Sequence, residues 1–188
     1  MAKTVGRAKK TETFTTRLEP KERYVLELLA RVSGRSIAKT LEEGIRLQAA
    51  QTKIHIAGRP EVSVSVDGLT GILWSPQEWK RLVSLAAIAP DLLTHLEECK
   101  LALLFQAKFI CQEPERSKTG AIKYVTLSPR FVELAWPIID ERAELMAEGK
   151  PAPPPSLMEI LKYHNGTQEL DDSSTETIML DFTTFNRD

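Results

Sequence analysis

Cysteine is nearly absent: Cys99 and Cys111 are the only two in 188 residues. They stand twelve residues apart with no CxxC pair, so neither a disulfide framework nor a thiol redox motif is expected, and both read as reduced apolar fillers. Histidine is almost as scarce, with His55, His95 and His164. His95 and Cys99 are four apart on a predicted helix, yet zinc needs four ligands and no CxxC, HxxxH or HExxH supplies the rest. They read as two helical side chains on a partly buried face. His55 and His164 fall in a predicted linker and tail. No glycine-rich phosphate loop, nucleophile elbow or carboxylate pair of fixed spacing occurs, which argues against an enzyme and leaves no cofactor or metal to expect. No apolar run approaches the roughly 18 residues that cross a bilayer, and residues 1–7 carry charge without an apolar signal region behind them, so a soluble, cytoplasmic protein is expected.

What is present is a globular composition, 42% hydrophobic, with enough apolar content for a packed core. The net charge of −1 conceals a division. Residues 1–60 hold thirteen Lys or Arg against six Asp or Glu, a net of +7, and the remainder carries −8. Residues 165–188 hold six acids against one base, Arg187. A nucleic-acid-binding end joined to an acidic, partner-facing end has this asymmetry, as does a pair of merely solvated faces.

Punctuation along the chain predicts an α+β fold, mostly helical. Residues 1–10, with Lys3, Arg7, Lys9 and Lys10, form a basic arm without periodicity. Residues 11–18, rich in Thr and branched or aromatic side chains, read as a strand closed by Glu19-Pro20, a helix start. Val25, Leu28, Leu29 and Val32 then follow the i, i+3, i+4, i+7 series of a helix with one apolar face. Ser33-Gly34 stops it, and Ser36 caps a second helix to about Ala50 with Ile37, Leu41 and Ile45 on one side.

A break at Gly58-Arg59-Pro60 opens a helix-rich α+β domain over 61–149, for assembly, ligand or partner binding. Val62, Val64 and Val66 alternate with serines before Asp67-Gly68, which predicts a hairpin with residues 69–73. Helices are expected from Ser75-Pro76, with Glu78 and Trp79 in the first turn, from Ala89-Pro90 to about Phe105, and from Ser128-Pro129 to about Glu148 with a kink or restart at Pro137. Residues 122–127 read as a strand and 113–120 as a charged loop. Trp74, Trp79 and Trp136 serve either core packing or a pocket. Residues 150–156 read as a proline-rich spacer, 157–163 as two turns of helix, and the rest of 150–188 as an acidic tail, disordered until residues 178–182 meet a partner.

The first fifty residues pose a physical problem. A lone strand leaves its backbone donors and acceptors unpaired, and two short helices cannot close a core. Dimerisation answers both: two strands pair antiparallel over four helices, making a ribbon of about the width of the DNA major groove. The period of two puts Phe14, Thr16 and Leu18 on one face and Thr13, Thr15 and Arg17 on the other.

Residues 12–50 resemble the ribbon-helix-helix repressors, the family of Arc, MetJ and CopG. The likeness is carried by Thr15-Thr16-Arg17-Leu18-Glu19-Pro20, by Leu28-Leu29-Ala30 and above all by Gly34-Arg35-Ser36-Ile37. It implies that Thr13, Thr15 and Arg17 meet base edges and that Gly34, Arg35, Ser36 and Ile37, helped by Lys9 and Lys10, meet phosphates. Phe14, Leu18, Val25, Leu28, Leu29, Val32, Ile37, Leu41 and Ile45 are the expected dimer core, with an alternative place for Phe14 turned toward the DNA backbone.

The resemblance implies a homodimeric, sequence-specific regulator of a prokaryotic cell or mobile element, most simply a repressor on double-stranded DNA, with higher assembly there left open. Three alternatives stand beside it: an antitoxin whose C-terminal part binds a toxin, an accessory protein of plasmid transfer or partition, and an oligomerisation ribbon that never meets DNA.

Overall fold

The computed structural model describes residues 15–163 and 176–185. It is α+β and mostly helical, 56% helix, and it divides into two units after Gln48.

The first unit holds α1 (Pro20–Ser33) and the greater part of α2 (Ile37–Gln51). Pro20 enters where a missing N–H costs nothing, and the end of α1 is set by Gly34 in the left-handed region at φ 64°. There the Gly34 N–H donates to the Arg31 carbonyl at 3.2 Å and the Arg35 N–H to the Ala30 carbonyl at 3.0 Å, the paired bonds of a Schellman motif. Ser36 opens α2, its Oγ accepting from the Lys39 N–H at 3.2 Å. Residues 15–19 have no regular secondary structure. The expected strand is therefore not formed over its described part, residues 15–18.

The second unit begins earlier than the Gly58 break, and its first hairpin differs from the expected one. β1 (Lys53–Ile56) pairs antiparallel with β2 (Arg59–Ser65), so His55 lies in a strand, not a linker. Gly58, at φ 71°, makes the turn. Residues 69–73, expected as a returning strand, lie in α3 (Val66–Leu73). Asp67-Gly68 is a helix start there: the Ser65 side chain accepts from the Gly68 N–H at 3.1 Å and so satisfies an orphan donor of the first turn. Leu69 is consequently buried.

α4 (Glu78–Ile88) follows Pro76 and buries Trp79, Leu82, Val83, Ala86, Ala87 and Ile88. Pro90 opens only a 3-10 turn, Pro90–Leu92. The helix expected from it, α5 (His95–Gln106), starts at Thr94, where the hydroxyl and the Glu97 carboxylate form a complete capping box that satisfies two backbone donors at once. α6 (Pro129–Ala147) runs through Pro137 without a restart, although Pro137 gives no N–H to the Glu133 carbonyl. α6 packs along α5.

Three strands, β3 (Glu115–Arg116), β4 (Ile122–Leu127) and β5 (Ile178–Asp181), form an antiparallel sheet in the order β3-β4-β5. Over residues 178–182, β5 corrects the reading of the tail as disordered. Leu127 pairs with Ile178 and Tyr124 with Asp181, the Phe182 N–H donates to the Lys123 carbonyl at 2.8 Å, and Phe182 is buried.

The proline-rich stretch is likewise no free spacer. Pro155 is buried, Arg142 on α6 donates to the Pro153 carbonyl at 2.9 Å, and α7 (Leu157–Tyr163) buries Ile160. These segments join one core with Leu103, Leu104, Val125, Val132 and Ile139.

Candidate nucleic-acid interface

The turn between α1 and α2 brings Gly34, Arg35, Ser36 and Ile37 together with Glu27, Ala30 and Arg31 around an open concavity of about 480 Å³. Gly34 bends the chain so that α2 starts beside it, and the first turn of α2 offers backbone N–H groups and the positive end of its dipole. Thr40 shows how closely the turn is held: its N–H and Oγ1 both donate to the Ser36 carbonyl, at 2.9 and 3.0 Å. Four residues expected at the phosphate backbone are thus neighbours on one surface.

Thr15 and Arg17, expected at base edges, are exposed ahead of α1. Thr13, Phe14, Lys9 and Lys10 lie outside the described residues.

Beyond the turn, Lys39, Glu42, Glu43 and Arg46, charged side chains that the sequence reading passed over, line α2. With Arg35 they border a second concavity of about 330 Å³. Lys39 Nζ lies 2.9 Å from Glu42 and Arg35 Nη1 lies 3.6 Å from Glu43, which also pairs with Arg46. The Arg46 hydrogen bond is the main cause holding the Glu43 carboxyl below its usual range, opposed by desolvation and helped by the charges of Arg46, Arg35 and Lys39. The signal for these residues was the i, i+3 spacing of Lys39 with Glu42 and of Glu43 with Arg46.

The expected dimer core is where the first unit departs most from a self-sufficient fold. Leu18, Val25, Leu28, Leu29, Val32, Ile37, Leu41 and Ile45 are all exposed, from 38% at Leu28 to 89% at Val32. Among the described residues of this unit only Ala30 is buried. Seven apolar side chains on two amphipathic helices, with Leu18 just ahead of them, are left facing solvent.

In the second unit the tryptophans separate. Trp79 is core, Trp136 is half-buried, and Trp74 is 66% exposed with the Arg81 guanidinium 5.2 Å from its ring centre. Trp74 lines a groove of about 420 Å³ with Val66, Thr70, Leu73, Leu82 and Leu85. His95 Nε2 and Cys99 Sγ are 4.0 Å apart. Among the described residues no three His, Cys, Asp or Glu side chains converge as a metal site, and no helix is long and apolar enough to cross a membrane. Burial raises the Cys111 thiol to about 11, which leaves it protonated and unreactive near neutrality.

Comparison with known protein families, curated proteins and solved structures finds no match for this chain.

Proposed function

We propose that the chain is a homodimeric, sequence-specific DNA-binding regulator that reads the major groove with a two-stranded ribbon built from residues around 12–18 of two copies. The observation that carries this reading is the uncovered apolar face of α1 and α2. Fully burying a side chain such as Leu, Ile or Val stabilises by roughly 1.5–3 kcal/mol. Seven of them exposed on two short helices, with Leu18 beside them, are an incomplete core, and a second copy completes it with the same residues. The occupant is a second copy because residues 15–19 form no strand pairing with any described residue, and an identical segment running antiparallel supplies one.

Dimerisation alone would suit an oligomerisation ribbon as well. DNA is favoured by the +7 balance of residues 1–60 and by the turn that sets Arg35 and Ser36 at the start of a helix, a ready anion site. Arg17 is the residue we assign to base reading, since a guanidinium donates two bonds to guanine O6 and N7.

Repression of a nearby promoter is the simplest use of such binding. The antitoxin alternative leaned on a free acidic tail, but Ile178–Asp181 and Phe182 are already used by the protein's own fold. Footprinting the full-length protein on the DNA upstream of its own gene tests the proposal. Protected stretches at a repeated short sequence, one helical turn or a multiple apart, are expected; uniform coating or no protection would count against it.

A further inference from the structure

This inference deepens the DNA-binding reading and rests on it. Arg35, which that reading sets against phosphate, is already engaged by a carboxylate of its own chain. Its Nη1 lies 3.6 Å from Glu43 Oε2, two turns along α2. Glu43 does not swing freely, because Arg46 holds the same oxygen. The local surface therefore carries Arg35, Lys39 and Arg46 against Glu42 and Glu43, a net of +1 where three bases alone would present +3. A carboxylate fixed beside an arginine offers what a backbone phosphate offers, an anionic oxygen at ion-pair distance.

We propose that Glu43 is a built-in competitor for the phosphate contact: it occupies Arg35 in the free protein and lowers affinity for any DNA backbone. Arg35 is 48% and Glu43 29% exposed, so the pair is a weak, solvent-reached one that phosphate is able to break. Breaking it leaves Glu43 paired with Arg46 but its negative charge still beside the polyanion, which adds repulsion at each half of a dimer. The carboxylate thus sets a ceiling on non-specific binding while leaving base reading to the ribbon.

The test is a fluorescence-anisotropy titration of the full-length protein with mixed-sequence duplex DNA at moderate salt. Glu43→Gln keeps the shape and removes one negative charge per chain. It is expected to tighten binding about five- to tenfold, and Glu43→Ala should do the same on this exposed face. Glu42→Gln makes the same charge change one residue away, where the partner is Lys39, and should tighten binding only about twofold. In an Arg35→Ala background the Glu43→Gln effect should shrink to about twofold or less.

Unchanged or weaker binding by Glu43→Gln would overturn the inference, as would an equal gain from Glu42→Gln or a gain that persists without Arg35. Those results leave the DNA reading standing. Absence of salt-sensitive binding by the unmodified protein removes both.

Discussion

Gly58 approaches Thr119 so closely that a Cβ built on it would stand 2.9 Å from the Thr119 Oγ1 and 3.2 Å from the Ala121 Cβ. The tip of the β1–β2 hairpin is thereby fitted against the loop before β4, and φ 71° at Gly58 adds a conformation other residues adopt only under strain. Gly58→Ala is expected to destabilise by about 2–3 kcal/mol, part backbone strain and part overpacking. Gly71, on α3, has nothing within 4 Å of such a Cβ, and Gly71→Ala should stabilise by about 0.5–1 kcal/mol. Urea unfolding followed by tryptophan fluorescence checks both through the midpoint, with the slope unchanged.

The docking of α7 should depend on acid. Hydrogen bonds from Arg142 and then from the Ser156 backbone and hydroxyl lower the Glu159 carboxyl from 4.5 to about 2. A pKa depressed in the folded state contributes stability that is complete above 4.5 and lost as pH falls through about 2. Amide protection in α7 should therefore decline between those values, and more steeply at low salt, because the Glu159 side chain is 45% exposed. Glu159→Gln should flatten the profile in that window. Hydrogen exchange across pH reads the difference.

The exposed stripe of the first unit is expected to be the dimer contact. Leu29 is 54% exposed in the single chain, so Leu29→Asp would alter a monomer by no more than about 0.5 kcal/mol. Buried against a second copy, the same carboxylate costs several-fold more per chain. Sedimentation equilibrium should find the unaltered protein at twice 21.1 kDa and Leu29→Asp at 21.1 kDa. The near-ultraviolet signal of Trp79 in the second unit should persist in both.

Local chemistry made much of the fold legible. Pro20, Gly34, Ser36 and Ser128-Pro129 mark element ends by which donors they lack or which conformation they allow, and the helices begin or end beside them. The gathering of Gly34, Arg35, Ser36 and Ile37 at the α1–α2 turn was readable for the same reason.

Errors arose where a distant partner or a competing local bond decided. Asp67-Gly68 reads as a hairpin turn until the Ser65 side chain is seen to cap it. Ile178–Asp181 reads as tail because its partner, β4, lies some fifty residues away in sequence. No local pattern announces such pairing. Arg35 and Glu43 were a harder case still, since two oppositely charged residues eight apart, one in the turn and one on α2, carry no sign that they meet.

The account turns on whether the basic first unit grips DNA through Arg17. Full-length protein and Arg17→Ala should be titrated against a duplex from the upstream region and against mixed-sequence duplex over rising salt. The account predicts that log K falls linearly with log salt for both duplexes, and that Arg17→Ala loses preference for the upstream duplex by roughly 1–3 kcal/mol per base contact while keeping most of the salt slope. Binding that ignores salt, or a preference that Arg17→Ala leaves intact, would contradict it.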